Sequence, residues 1–199
     1  MTTIETVDDL EALLSQPTPG LIDTLRAIDG NIIVLGAGGK MGPTLTRMAR
    51  RASASSRRVI AVSRFSSAGG ADEFKRHGVE TIACDLLDRE AVSGLPDAPN
   101  VIFMAGQKFG TSDSPELTWV MNTLVPAIIA ERYAQARIVV FSTGCVYPLA
   151  PVSGPGSRED DPLGPPGDYA NSCVGRERIF THYSKQNGTP ALLFRLSYA

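Results

Sequence analysis

The stretch Asn31-Ile-Ile-Val-Leu-Gly-Ala-Gly-Gly-Lys-Met-Gly42 constrains the fold more than any other part of the chain. Ile32 to Leu35 form a short, apolar, β-branched run, which predicts a buried parallel strand. The run passes directly into Gly36, Gly39 and Gly42 at three-residue spacing. Met41, Leu45, Met48 and Ala49 then repeat at the spacing of an amphipathic helix. A tight glycine turn between strand and helix lets backbone approach a pyrophosphate, and the helix N-terminus adds N–H groups and the positive end of its dipole. The strand before and the helix after supply the context this motif needs. Gly36, Gly38, Gly39, Lys40, Met41 and Gly42 are therefore assigned to a nucleotide phosphate site, in preference to an ordinary glycine-rich turn.

From residue 31 onward the pattern alternates. Strands are expected at 31–36, 58–63, 79–84, 100–105, 137–142 and 191–196, with helices at about 41–52, 70–77, 88–94, 115–135 and 169–187 between them. Such alternation predicts an α/β fold, a doubly wound parallel sheet wrapped by helices. The chain is 199 residues long, enough for one domain over 30–199. Residues 1–29 read as a short N-terminal helical extension: Val7, Leu10, Leu13 and Leu14 have helical spacing, Pro17 and Pro19 break it, and Leu21 to Ile28 form a second short helix. A net charge of −2 suggests neither a nucleic-acid nor a membrane partner. Cys84, Cys145 and Cys173 lack metal-ligand spacing and suit a reducing cytoplasm. Six prolines make 148–167 a long surface loop, and loops of that length are often functional.

Ligands of such sheets sit beyond the carboxyl ends of the strands, so the residues just after each strand matter most. After the second strand come Ser63 and Arg64. An acidic residue there would bind the adenosine ribose hydroxyls. Its absence, with an arginine able to pair with a phosphate, predicts NADP, with NAD as the alternative. After the third strand, Asp85 is placed to accept from an adenine amino group and Leu86 to flank the ring, while Asp88 reads as the N-cap of the next helix. Ala105 and Gly106 follow the fourth strand and leave room for a cofactor against backbone. Ser142 and Thr143 end the fifth strand, and Tyr169 opens the last helix.

In this order the residues resemble an extended short-chain dehydrogenase/reductase of the NAD-dependent epimerase/dehydratase type, from Gly36 to about Tyr198. The resemblance implies a Rossmann-type NAD(P)-binding domain and oxidoreductase chemistry. The family's Asp-Leu pair falls on Asp85-Leu86 and its alanine/glycine segment on Ala105-Gly106. Its helix asparagine falls on Asn122, its catalytic hydroxyl on Thr143 beside Ser142, and its catalytic tyrosine on Tyr169. Arg195-Leu196-Ser197-Tyr198 resembles the segment after the family's sixth strand. Two departures stand out. The Tyr-x-x-x-Lys signature reads Tyr169-Ala-Asn-Ser-Cys173, so a thiol occupies the place of the lysine that in the family holds the nicotinamide ribose. The substrate lobe that follows in the family is expected to be truncated or missing.

Without the lysine, Tyr169 is expected to stay near the ordinary phenol pKa of ~10. On a helix, positions 169, 173, 176 and 180 share a face. Arg176 could thus lean toward Tyr169, and Lys108 could enter the cleft, although solvent-facing positions are preferred for both. Cys173 is taken as a packing thiol rather than a nucleophile. His77 and His182 receive no role. The expected activity is that of a cytoplasmic oxidoreductase or epimerase acting on a sugar or other hydroxyl-bearing small molecule, with a homodimer as the candidate assembly. The alternative is a dinucleotide-binding family member with little turnover, in a sensor or structural role. An unrelated flavodoxin-like module ranks last, because it leaves the Ser142–Tyr147 and Tyr169 matches to chance.

Overall fold

The computed structural model describes residues 4–66, 69–108 and 113–197. Two compact units are present, Met1–Asp85 with Pro96–Met104 and Leu86–Leu95 with Ala105–Ala199. The first opens with helices α1 (Val7–Leu14) and α2 (Pro19–Ala27). Thr6 and Asp9 form a capping box on α1, and Thr18 caps α2. Pro17 and Pro19 separate the two helical patterns as expected, and Pro19 itself sits in the first turn of α2. Proline suits that position because the N–H it lacks would have no partner there.

The unit continues through β1 (Ile32–Leu35), α3 (Gly42–Ala52), β2 (Val59–Ser63), α4 (Gly70–Arg76), β3 (Glu80–Ala83) and, after its return, β4 (Asn100–Phe103). β1 lies parallel between β2 and β4, pairing Leu35 with Val62 on one side and Phe103 on the other. β3 pairs outside β2. Every residue of β1 is buried. A central parallel strand is covered on both faces, which is why it reads as a continuous apolar run. Leu25, Ala49, Ala52, Phe74 and Val79 pack with Ile32, Val34, Val59 and Ala61 in one cluster. Each fully buried Val, Ile or Phe contributes roughly 1.5–3 kcal/mol.

The second unit holds α5 (Arg89–Ser93), α6 (Pro115–Trp119), α7 (Val125–Arg132), β5 (Arg137–Thr143), α8 (Asp168–Asn187) and β6 (Ala191–Leu196). Asp88 caps α5 through the amides of Glu90 and Ala91, as expected. The single helix anticipated over 115–135 is three pieces, with a π-helical turn, Val120–Leu124, between α6 and α7. β5 and β6 pair in parallel from Ile138–Ala191 to Thr143–Leu196. The strand order is β3-β2-β1-β4-β5-β6, the doubly wound parallel sheet expected from the alternation. Among the described residues no helix is long and apolar enough to cross a membrane.

The start of α3 makes a quantitative demand. A Cβ on Gly42 would overlap the backbone carbonyl of Ala37, whereas one on Gly39 would meet only the Gly36 oxygen, at 3.6 Å. Gly42→Ala should therefore destabilise the protein by about 1–3 kcal/mol, the usual cost of overpacking. Gly39→Ala should change stability by less than about 1 kcal/mol. Urea denaturation of the two variants checks this, and equal losses would contradict it.

Candidate functional site

The three glycines at three-residue spacing differ physically, two of them being required by the fold and one not. Gly36 has φ of +85°, a left-handed conformation that lets the chain turn at the end of β1. Its amide and that of Ala37 both donate to the Val62 carbonyl, at 2.9 and 3.0 Å. Gly42 permits α3 to close onto the Ala37 carbonyl. Gly39 is required by neither conformation nor packing, since its backbone is not left-handed and a Cβ there would make only an ordinary contact with the Gly36 oxygen. Gly38, Gly39 and Lys40 are exposed. This division matches the functions of the three glycines in a dinucleotide-binding turn: the bend, the close approach to pyrophosphate and the helix–strand packing. A turn with an open glycine, at the carboxyl end of a central parallel strand, fits a dinucleotide phosphate.

β2 brings Ser63 to this turn. A Cβ on Gly38 would collide with the Ser63 hydroxyl, so Gly38 lies directly against that side chain. Arg64 follows and is exposed. Phe65 then adopts φ of +46°, unusual for an aromatic residue, and packs edge-on against Phe74 with centroids 5.5 Å apart. The chain is thus turned sharply just after Arg64. Asp85 stands exposed after β3. The order of strands around β1 reverses at the β1/β4 boundary, where such sheets receive their ligands.

In the second unit, β5 and α8 bring Thr143, Tyr169 and Cys173 together. The Thr143 side chain accepts from the Cys145 amide at 3.2 Å and hydrogen-bonds the Tyr169 phenol. Cys173 is fully buried and also hydrogen-bonds Tyr169. Burial, then the neighbouring Cys173, push the phenol up to about 12, against the opposing pulls of Thr143 and the Arg176 charge. The expectation of an ordinary phenol is thereby corrected, because desolvation adds to the loss of the lysine. Burial also raises the Cys173 thiol above its ordinary value.

Of the two cations, Arg176 differs from expectation and Lys108 does not. Arg176 is buried, not solvent-facing, at 6% exposure. Its Nη1 donates to the Phe141 carbonyl at 2.9 Å and its Nη2 to Asn122 Oδ1. Lys108 is exposed, but its Nζ lies 5.5 Å from the Tyr169 ring centroid. Gly106 has a partner of its own: a Cβ there would strike the Arg176 guanidinium and lie 2.9 Å from Asn122 Oδ1. Asn122, in the π-helical turn, also accepts from the Gln107 amide at 3.1 Å. It donates to the Gln107 carbonyl at 3.0 Å and to Ser172 Oγ at 2.9 Å. Its amide group thus works as a buried pin between helices and loop. Leu86 and Ala105 are buried apolar positions. Tyr198 lies outside the described residues.

Glu177 goes unnoticed in the sequence, and Arg195 and Tyr147 are matched to the family without a role. Ser142 turns its hydroxyl to Glu177 Oε1 at 2.5 Å, and Arg195 clasps the same carboxylate. Two signals were available. Glu177 lies four residues after Cys173 on the same helix face, and Arg195 is a lone charge in an apolar strand. Tyr147, Tyr169, Lys108, Cys145, Ser157 and Asp168 are among the residues lining a cavity of about 1000 Å³.

Asn122→Ala would strip four partners from their acceptors or donors at a buried site. It should cost about 2–4 kcal/mol in urea or thermal unfolding, and a loss below about 1 kcal/mol would show that the pin carries little.

The profile of the NAD dependent epimerase/dehydratase family matches residues 32–199. No curated protein matches the chain by sequence. Among solved structures it is similar to the UDP-Glc/GlcNAc 4-epimerase of Campylobacter jejuni, at 18% identity and TM-score 0.70, covering 84% of this chain and 53% of that one. The dTDP-glucose 4,6-dehydratase of Bacillus anthracis in complex with NAD gives 18% identity, TM-score 0.70 and coverage of 84% and 54%. The UDP-glucuronic acid 4-epimerase of Bacillus cereus in complex with NAD gives 18%, 0.66, and 83% and 56%. The chain spans about half the length of these structures. With most of its length matched, in the order that its glycine turn, Thr143 and Tyr169 announce, the chain belongs to the NAD-dependent epimerase/dehydratase family.

Proposed function

We propose that the protein is an NAD(P)-binding oxidoreductase or epimerase acting on a sugar or other hydroxyl-bearing small molecule, nucleotide sugars first among them. The carrying observation is Gly39, a glycine that neither conformation nor packing requires, in a turn whose other two glycines are each required. The amides of the turn and the start of α3 would hold the pyrophosphate. A bound nicotinamide would supply hydride exchange. Tyr169 would present a proton at its hydroxyl to the reacting oxygen, and Thr143 would orient that hydroxyl. With its phenol pushed up to about 12, Tyr169 stays protonated at neutral pH and suits the donor role better than that of a base.

Ser63 against Gly38, followed by exposed Arg64, supports NADP over NAD. Calorimetric titration of both reduced dinucleotides should favour NADPH by ~1–3 kcal/mol, and Arg64→Ala should erase the difference. Equal affinities in the wild type would remove the assignment. In Gly39→Val, dinucleotide binding should weaken by at least about a hundredfold (near 3 kcal/mol) while the unfolding transition is kept. Undiminished binding would place the cradle elsewhere.

Cys173 in place of the lysine favours a second reading, binding with little turnover. The two separate by pH. If Tyr169 must act as a base, oxidation of UDP-glucose or another sugar alcohol should rise about tenfold per pH unit from pH 7 to 10, because the phenolate fraction does so well below a pKa of about 12. Cys173→Lys should pull the phenol down and raise the rate at neutral pH. A dinucleotide-binding protein inert across that range, and still inert as Cys173→Lys, would decide for the second reading.

A further inference from the structure

Glu177, Arg195, Ser142, Tyr147 and Glu159 form a connected set that the proposed chemistry leaves unused. Glu177 is 2% exposed. Its carboxylate receives the Ser142 hydroxyl at 2.5 Å, Arg195 Nε at 3.0 Å and Arg195 Nη2 at 2.8 Å. A buried carboxylate is tolerated only when its oxygens are met in this way. Two nitrogens of Arg195 suffice for the fork on Glu177. The third, Nη1, reaches the other way and donates to Tyr147 Oη at 2.6 Å and to the Glu159 carbonyl at 2.9 Å. The guanidinium also lies 4.9 Å from the Tyr147 ring centroid.

Arg195 therefore has two grips. One is on rigid elements, through Ser142 at the end of β5 and Glu177 on α8. The other is on Tyr147 and the middle of the proline-rich loop. Tyr147 lines the cavity of about 1000 Å³ together with Tyr169, and the loop adds Pro148, Leu149 and Ser157 to its wall. At its far end the loop is tied separately, by Asn171 Nδ2 to the carbonyls of Pro165 and Gly167. Between these ends, Arg195 holds the backbone at Glu159.

We propose that Arg195 is a positioning residue of this cavity: it locks Tyr147 and the loop to β5 and α8, and so makes Tyr147 a second phenol donor for a substrate oxygen. The donor direction follows from the hydrogen bond itself. Tyr147 Oη accepts from Nη1, so the phenol's own proton is available for another acceptor. A sugar hydroxyl or a phosphate oxygen has the matching chemistry. The assignment of a substrate to this cavity rests on the function proposed above, but the clasp can be tested without turnover.

The test is Arg195→Lys. One ammonium keeps the buried Glu177 charge compensated, so the chain should fold with a thermal midpoint close to that of the wild type. It lacks the planar fork, so it cannot also reach Tyr147 and Glu159. By hydrogen–deuterium exchange, amides of 157–163 should exchange about tenfold faster, while those of β5 and α8 stay as protected as before. With ¹³C-labelled tyrosine, the Tyr147 ring signal, identified by its loss in Tyr147→Phe, should move in Arg195→Lys. Unchanged loop exchange and an unmoved Tyr147 signal in folded Arg195→Lys would overturn the proposal. Should that variant fail to fold, the paired Arg195→Met/Glu177→Leu variant removes both charges and is read in the same two ways. Neither readout involves catalysis. A protein without oxidoreductase activity would still show both, and an active one with an unaffected loop would refute the clasp alone.

Discussion

The contact between Gly42 and the Ala37 carbonyl decides what the first unit can do. α3 begins where its backbone can touch the turn that leaves β1, and only a residue without Cβ allows that distance. Close approach fixes the helix N-terminus over the end of a strand that is itself fixed by pairing on both sides. The intervening residues, Gly38 to Met41, are then held on a short tether with little freedom. Within it the Gly39 amide donates to the Gly36 carbonyl and the Gly42 amide to the Gly39 carbonyl, at 3.3 and 3.1 Å. Burial of β1 and β2 supplies the rigidity on which this turn is built.

The second unit is organised on a different principle. It carries one buried arginine, Arg176, and one half-buried, Arg195. Arg176 is met by a carbonyl and by Asn122, and Arg195 by the carboxylate of Glu177. The two guanidinium groups act differently. The charge of the first acts on Tyr169 and Cys173, whose ionised forms it favours. The second is neutralised where it sits and acts by geometry. The π-helical turn serves this arrangement by carrying Asn122 to the place where one side chain can satisfy Gln107, Ser172 and Arg176 together. π turns are rare and concentrate at such positions.

The parts of the fold legible in sequence are those in which period and burial coincide. β1 and β2 are apolar along their whole length because both faces are covered, and Asp88 announces its helix because a carboxylate at that position meets two orphan amides. The π turn was not legible, since one extra residue in a helix leaves the apolar pattern nearly intact while rotating everything after it. Thr143 and Tyr169 could be paired by resemblance and do lie within hydrogen-bonding reach. The burial of Arg176 was missed because arginines are mostly exposed, and the room for this one depends on the missing side chain of Gly106, seventy positions earlier and too far for any local pattern to register. Glu177 and Arg195 share that difficulty: each is costly to bury alone and makes sense only with the other.

The exchange of lysine for Cys173 is better understood as a redistribution of charge than as a deletion. A lysine one turn from Tyr169 would put an ammonium beside the phenol oxygen. Here that place is taken by a buried thiol whose own ionisation is suppressed by burial, and the positive charge sits three residues further on, pinned on Asn122 and the Phe141 carbonyl. Its pull on the phenol is smaller than that of burial, so desolvation prevails and the phenol keeps its proton. A phenol in that state can donate a hydrogen bond to an oxygen but cannot readily remove a proton from one. The two hydroxyl side chains that the resemblance pairs, Thr143 and Tyr169, thus sit in surroundings that favour the protonated phenol.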